Sequence, residues 1–167
     1  MPIEDATEQD LPAIHALNQA EVPAVSDITF AELEWFFAHA AGLRVARIDG
    51  ALAGFLLGLG PGLDYASPNY RWFSARYPDF YYIDRLAVDA AWRRRGVARA
   101  LYEDAELRAG RAGAPLLACE VNERPRNDAS LAFHEALGFE PVGRQETDAG
   151  GKAVVMLVRP VSALPRA

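Results

Sequence analysis

The sequence predicts an α/β domain with a mixed, mostly antiparallel twisted sheet of about six or seven strands, flanked by about four helices. Two observations carry this prediction. The 167 residues are 51% hydrophobic and 24% charged, which is the size and composition of one soluble globular domain. The hydrophobic periodicity is helical near the start and then alternates between strand and helix. We expect a single domain over residues 1–160 and a frayed tail over 161–167.

In the first part of the chain, two sequence signals mark where a helix opens and where the chain turns. Thr29 and Glu32 form a capping box, which is typical of a helix start. The pair Asp49-Gly50 lies between two apolar segments and predicts a tight hairpin. The elements expected here are a strand over 3–6, a helix ending near 20, a helix opened at 29, and strands over 43–48 and 52–59.

The second part alternates strands and helices after a loop over residues 60–79, which we call the flap. Gly, Pro, Asn and Ser predict a loop there, but five aromatic residues indicate that it is ordered. These residues are Tyr65, Tyr70, Trp72, Phe73 and Tyr77. The other expected elements are strands over 80–88, 115–122, 142–147 and 153–158, helices over 96–111 and 128–137, and a last turn over 149–151.

Composition and charge exclude several classes of protein. With 23 acidic against 17 basic side chains the net charge is -6, so there is no global positive field to hold nucleic acid. Cys119 is the single cysteine, which excludes an intrachain disulfide, and we predict no metal site. No apolar run reaches the roughly 18 residues of a membrane span, and the acidic start is unlike a secretory signal. We therefore expect a cytoplasmic protein without membrane partners.

The most informative segment is WRRRGVARAL, residues 92–101, between a strand and a helix. Gly96 lets the backbone approach a ligand closely, and amides at a helix start bind phosphate. The alternative is a solvated basic cap on the helix. A P-loop is excluded because no Gly-Lys-Ser/Thr ending exists, and a dinucleotide fingerprint because its three spaced glycines are missing.

This segment resembles the pyrophosphate motif of the GNAT superfamily of acyl-CoA-dependent N-acyltransferases, Gln/Arg-x-x-Gly-x-Gly/Ala, through Arg93, Gly96 and Ala98. A second segment, NDASLAFHEALGF over 127–139, resembles the family's Asn-x-x-Ala/Ser-x-x-Phe/Leu-Tyr-x-x-x-Gly-Phe pattern. The opening IEDATEQDLPAI is also similar to the family's usual start. The likeness covers most of the chain except the flap, and it implies a GNAT-like fold.

The resemblance implies an acetyl-CoA site with acetyl-CoA as co-substrate. The amides around Arg95, Gly96, Val97 and Ala98 would hold the pyrophosphate, with positive charge from Arg93, Arg94 and Arg99. The strand end at Leu86, Ala87 and Val88 would pair with the pantetheine arm and polarise the thioester carbonyl. Asn127 would hydrogen-bond the cofactor arm, or serve only as a helix N-cap.

His134 departs from the family pattern, which has tyrosine there as the general acid for the leaving thiolate. An imidazolium can also donate a proton, so we predict that His134 takes this role. The alternative is a packed histidine without a catalytic task.

Two carboxylates are candidates for the proton relay. Asp84 stands where many family members carry Glu, on a strand face with Tyr82, Leu86 and Val88, and an apolar neighbourhood there would favour a base. The alternative for Asp84 is an ion pair with an arginine of the following helix. Glu120, on the next strand, is the second candidate and would also bind a cationic acceptor.

We therefore predict direct transfer of acetyl from acetyl-CoA to a primary amine of a small molecule or peptide, in a ternary complex. Tyr70, Trp72 and Tyr82 are expected to bind the acceptor, and the flap is expected to line its site and to contribute to a homodimer. One alternative is a catalytically degenerate acyl-CoA-binding sensor or partner module. Another is an α/β nucleotide-phosphate binder unrelated to acyl transfer.

Overall fold

The structure is a computed structural model that describes residues 1–147 and 151–162. The predicted turn at Ala149-Gly150 lies outside the described residues, as do residues 163–167 of the predicted tail. Within the described ranges, no helix is both long and apolar enough to cross a membrane.

The described residues contain seven strands and five α-helices. The strands are β1 Ile3–Asp5, β2 Gly42–Ile48, β3 Ala51–Leu59, β4 Tyr81–Val88, β5 Leu116–Arg124, β6 Glu140–Thr147 and β7 Lys152–Pro160. The helices are α1 Leu11–Ala20, α2 Phe30–His39, α3 Pro68–Arg76, α4 Val97–Arg111 and α5 Asp128–Ala136. The strands hydrogen-bond in the order β1-β2-β3-β4-β5-β7-β6. This confirms the predicted α/β class and its mostly antiparallel sheet.

Helix α3 is the main departure from the sequence-based expectation. We predicted about four helices and a loop in the flap, but α3 lies there as an additional helix. Ser67 opens it, with its hydroxyl accepting from the Tyr70 N–H at 3.3 Å, and Pro68 occupies the first turn. Serine followed by proline is a helix-start signal that the overall loop-like composition concealed.

The chain divides into two compact units, and the first comprises Met1–Leu59 and Ile83–Arg108. Asp49 and Gly50 have φ of 51° and 77°, which is the left-handed pair that a tight hairpin between β2 and β3 requires. Thr29 and Glu32 bond each other's backbone N–H groups, which confirms the capping box of α2. The fully buried core of the first unit includes Ile14, Leu33, Val45, Phe55 and Leu101.

The second unit comprises Gly60–Tyr82 and the chain from Ala109 onward. Here β7 pairs antiparallel with both β5 and β6, and Tyr81 and Tyr82 of β4 pair parallel with Leu117 and Ala118 of β5. Its fully buried core includes Phe73, Leu117, Ala118, Ala153 and Met156. The single domain over residues 1–160 stays a prediction.

Candidate active site

The basic loop of the first unit has an unusual backbone. Arg94 and Gly96 have φ of 62° and 77°, so two of the three residues before Val97 are left-handed. A positive φ is uncommon for a non-glycine residue and often marks a functional site. Left-handed residues alternating with others turn successive N–H groups to one side and form an anion-binding concavity. Gly96 then opens α4, where its carbonyl accepts from the Ala100 N–H at 3.0 Å.

The loop also has room and charge for an anion. A Cβ placed on Gly96 would have no heavy atom within 4 Å, so the space beside it is open. The side chains of Arg93 and Arg99 are 54% and 70% exposed, with single carboxylate contacts to Glu21 and Glu103. Backbone amides, open space and cationic side chains are what a pyrophosphate requires, so the residues present fit this group.

The end of β4 lies in the first unit and carries the segment expected to face the thioester. Leu86 and Val88 are half-buried, whereas Ala87 is 3% exposed. A Cβ on Gly54 of β3 would lie 2.9 Å from the Ala87 carbonyl oxygen and 3.0 Å from Val97 Cγ1. Only glycine at this position lets β3, β4 and the first turn of α4 pack so closely.

Asp84 is an ion-paired residue. Its Oδ2 accepts from Arg85 Nε at 2.8 Å, and the two side chains are 4% and 5% exposed. The structure thus shows an ion pair at Asp84, with Arg85 of the same strand as a partner. Arg85 itself escaped the sequence analysis. The signal was its position between Ile83 and Ala87, because alternation along a strand places all three on one buried face.

Glu120 of the second unit is hydrogen-bonded to a tyrosine. The Tyr82 hydroxyl donates to Glu120 Oε2 at 2.7 Å; Tyr82 is 1% exposed and Glu120 is half-buried. Tyr82 is in turn packed against the rings of Tyr70 and Phe73, with centroids 5.6 and 5.7 Å away. A carboxylate that accepts from a tightly packed donor keeps a defined orientation.

His134 is buried in the second unit, with 6% of its surface exposed. Its Nδ1 lies 2.7 Å from the Ser130 carbonyl oxygen, which can only accept, so Nδ1 carries the hydrogen and neutral imidazole has its lone pair on Nε2. Burial lowers the pKa of His134 below its ordinary value, and the bond to Ser130 offsets only part of this effect. A general acid here must therefore be the imidazolium, which burial disfavours.

Asn127 is the N-cap of α5, since its side-chain oxygen accepts from the Ser130 N–H at 3.1 Å. The N-cap that sequence analysis gave as the alternative is therefore present. The cap uses only the oxygen, so a bond to a cofactor would come from the amide nitrogen.

The aromatic residues of the flap are packed within the second unit. Tyr70 is 2% exposed, and its hydroxyl donates to the Gly60 carbonyl at 2.7 Å and accepts from the Leu63 N–H at 3.0 Å. Trp72 lies against Gly143 of β6 and under the Arg76 guanidinium, which is 3.9 Å from the ring centroid. Packing inside the unit buries Tyr70 and Phe73, whereas Tyr65, Trp72 and Tyr77 stay half-buried. The acceptor roles of Tyr70, Trp72 and Tyr82 stay predictions.

Comparison with known proteins identifies the family. The sequence profile described as "Acetyltransferase (GNAT) family" matches residues 10–139, which is most of the chain. This chain belongs to the GNAT acetyltransferase family. GNAT membership confirms the resemblance found in the sequence and makes the protein an acyltransferase of a family that uses acetyl-CoA. No curated protein matches the chain.

Solved structures of other GNAT proteins share the fold. The ribosomal-protein-S18-alanine N-acetyltransferase of Escherichia coli has 20% identity and a TM-score of 0.75, over 98% of this chain and 96% of that one. Ard1 of Thermoplasma volcanium has 18% identity and a TM-score of 0.76, over 96% and 97%. Naa20 of Chaetomium thermophilum, solved with a bisubstrate analogue, has 18% identity and a TM-score of 0.75, over 96% and 87%. Identities this low show the fold alone.

Over residues 1–147 and 151–162, no group of three or more His, Cys, Asp or Glu side chains is placed to hold a metal ion.

Proposed function

We propose that this GNAT protein transfers the acetyl group of acetyl-CoA directly to a primary amine of a small molecule or peptide, in a ternary complex. The observation that carries the proposal is the backbone of residues 93–97, where two left-handed residues and open space beside Gly96 precede the start of α4. A loop with this shape is built to bind a diphosphate through main-chain N–H groups. Arg93, Arg94, Arg95 and Arg99 add the charge that a polyanionic cofactor needs.

The chemistry needs no covalent enzyme intermediate. The amine nitrogen attacks the thioester carbonyl, the carbon–sulfur bond breaks, and the products are an amide and the CoA thiol. One amine proton leaves to solvent, and the thiolate gains one. Backbone amides near Leu86, Ala87 and Val88 polarise the carbonyl, which stabilises the charge that develops on its oxygen.

Glu120 is the better of the two carboxylates for relaying the amine proton. It is half-buried, and the hydrogen bond from the Tyr82 hydroxyl holds its Oε2 in a fixed direction. The side chain of Asp84 is 4% exposed and bonded to a guanidinium, which competes with an amine for the same oxygen atoms. Asn127 is proposed to contact the cofactor arm through its amide nitrogen.

His134 is proposed to protonate the leaving thiolate in its imidazolium form. The same geometry supports the second candidate function, a degenerate acyl-CoA-binding module, because a buried neutral imidazole that donates to Ser130 is also what a purely packed histidine looks like. The two candidates differ in turnover and agree on cofactor binding.

Two measurements test the proposal. In a thermal-shift titration, acetyl-CoA should stabilise the protein, whereas ATP and a dinucleotide at the same concentration should not; stabilisation by ATP alone would favour the nucleotide-phosphate binder. Release of CoA thiol is then followed with a panel of polyamines, aminoglycosides, amino acids and peptide amino termini. Acetyl-CoA binding without thiol release from any amine would favour the degenerate module. The predicted homodimer is tested by molecular mass in solution.

A further inference from the structure

Arg85 is the centre of a buried hydrogen-bond network inside the first unit. Besides the bond from Nε to Asp84, its Nη1 donates to Asn18 Oδ1 at 3.0 Å and to the Ser26 carbonyl oxygen at 2.9 Å. Its Nη2 donates to the Ser26 hydroxyl at 3.0 Å, and the guanidinium carbon lies 5.5 Å from the centroid of the Phe36 ring. The network therefore joins β4 to α1, to α2 and to residues 21–29, which lack helix or strand.

The acceptors of this network depend on one another. Asn18 is fully buried, and its Nδ2 donates to the Ser26 carbonyl oxygen at 3.0 Å, so that oxygen receives hydrogen bonds from both Asn18 and Arg85. Gln19 extends the attachment, since its Nε2 donates to Asp27 Oδ1 at 2.6 Å. Without the guanidinium, the buried Asn18 Oδ1 would lose a donor, which is costly away from water, and both oxygens of Ser26 would lose their bond to β4.

Stability alone is a weak explanation for a buried ion pair at this place. Apolar side chains of similar volume often replace buried ion pairs without loss, because desolvation of the charges offsets their attraction. Arginine instead offers donors in a rigid planar fork, which accepts partners only in fixed directions. A network of this kind holds neighbouring backbone segments in one arrangement. The backbone that follows Arg85 is Leu86–Val88, the segment proposed to polarise the thioester.

We infer that Arg85 is a positioning residue for the proposed acetyl transfer, which holds the backbone of Leu86–Val88 in place through its bonds to Asp84, Asn18 and Ser26. This inference rests on the proposed function. Amides stabilise a developing oxyanion only where they are already aimed at it, and a misplacement of about 1 Å can cost roughly 100-fold in rate. Asp84 is then the counter-ion of Arg85, and the proton relay belongs to Glu120.

Infrared spectroscopy of acetyl-CoA labelled with carbon-13 at the thioester carbonyl tests this role without an amine. On the wild-type protein the carbonyl band should move to lower frequency than in free acetyl-CoA. Arg85→Lys keeps the charge, but an ammonium group has three donors on one nitrogen and cannot reproduce the four bonds that the guanidinium makes from three nitrogens. This variant should lose most of the band shift and lower kcat at least about tenfold with the best amine of the panel, while the Kd for acetyl-CoA stays within about threefold.

Arg44→Lys is the matched control. The Arg44 side chain is also 5% exposed and bonds Asp5, Asp104 and the Ile3 carbonyl, none of them in β4. It should lower the melting temperature as Arg85→Lys does, but keep the band shift and kcat. Equal band shifts in the wild type and both variants would overturn the positioning role, as would a wild-type band at the frequency of free acetyl-CoA.

A milder variant covers the case in which Arg85→Lys does not fold. Ser26→Ala removes only the hydroxyl that accepts from Nη2, on an exposed residue, and should reduce both the band shift and kcat. An undiminished shift with unchanged kcat in Ser26→Ala would overturn the role of the network. A wild-type protein that binds no acetyl-CoA would overturn the proposed function itself.

Discussion

The indole of Trp72 lies so close to Gly143 that a Cβ on the glycine would be 2.3 Å from Trp72 Cζ2. Trp72 lies in α3, and Gly143 lies in β6 where the strand register shifts. Because Gly143 has no side chain, the indole can pack directly against the strand backbone. Next to this contact, Gln145 of β6 donates to Asn69 of α3 at 3.0 Å. Together they dock the flap helix onto the sheet of the second unit.

Gly143→Ala should therefore destabilise the protein. The added methyl group overpacks against a ring that cannot bend away, and such overpacking costs about 1–3 kcal/mol. The free energy of unfolding in urea is the measurement. Gly60→Ala is the control, because a Cβ there meets no heavy atom within 4 Å and its φ is not in the left-handed region. Equal stability of the two variants would show that the packing of Trp72 does not require a glycine at position 143.

Gly96→Glu should lower acetyl-CoA affinity at least about tenfold, or roughly 1.4 kcal/mol, by repulsion and by blocking close approach to the amides. Titration calorimetry on the folded variant measures this. Gly113→Glu makes the same change at a glycine with a similar φ, +74° against +77°, and equally open surroundings. The control should share the backbone strain but keep its affinity, so equal affinity in both variants would contradict the pyrophosphate assignment.

Glu120→Gln should reduce kcat by about 100-fold or more, since general-base catalysis is typically worth that much. Tyr82→Phe, which removes only the hydroxyl that orients Glu120, should cause a smaller loss with unchanged acetyl-CoA affinity. Tyr81→Phe is the matched control, because Tyr81 is the neighbouring buried tyrosine on β4. A Glu120→Gln enzyme with wild-type turnover would return the relay to Asp84, where Asp84→Asn would then be decisive.

The lowered pKa of His134 determines how kcat should change with pH. If the imidazolium returns the proton, kcat falls as the pH rises through the pKa of His134, which burial places below the ordinary value for histidine. His134→Phe should lower turnover and abolish this limb, while His134→Tyr should retain more activity than His134→Phe and move the limb to higher pH. Identical profiles for all three proteins would reduce His134 to a packing residue.

The same burial has a consequence for stability. The pKa is lowered in the folded state, so as the pH falls below the unfolded value of about 6.5 the unfolded chain binds a proton that the folded one does not. Stability from this group is present above the unfolded pKa and is lost as the pH falls from there toward the lowered folded pKa. Urea unfolding as a function of pH should show this loss in the wild type but not in His134→Phe.

The elements that the sequence predicts correctly are those whose signals are local. The left-handed turn at Asp49-Gly50, the box of Thr29 with Glu32 and the cap at Asn127 each involve residues at most three apart, so the sequence carries the whole interaction. The same locality put Gly96 at a helix start, because the apolar stripe of Val97, Leu101 and Ala105 begins directly after it. For the flap, the sequence predicted an ordered loop and not helix α3. The loop-like composition of the flap outweighed the helix-start signal of Ser67 and Pro68.

By itself, the sequence thus determined the order of strands and helices outside the flap, the positions of the two family motifs and, through them, the family. Only the tertiary structure decided which partner each candidate group has. Tyr82 and Glu120 are 38 residues apart in the chain, and Arg85 and Asn18 are 67 apart. Whether Glu120 meets a phenol, and whether the Arg85 guanidinium meets Asn18, depends on which strands and helices pack together, and no local pattern in the chain encodes that.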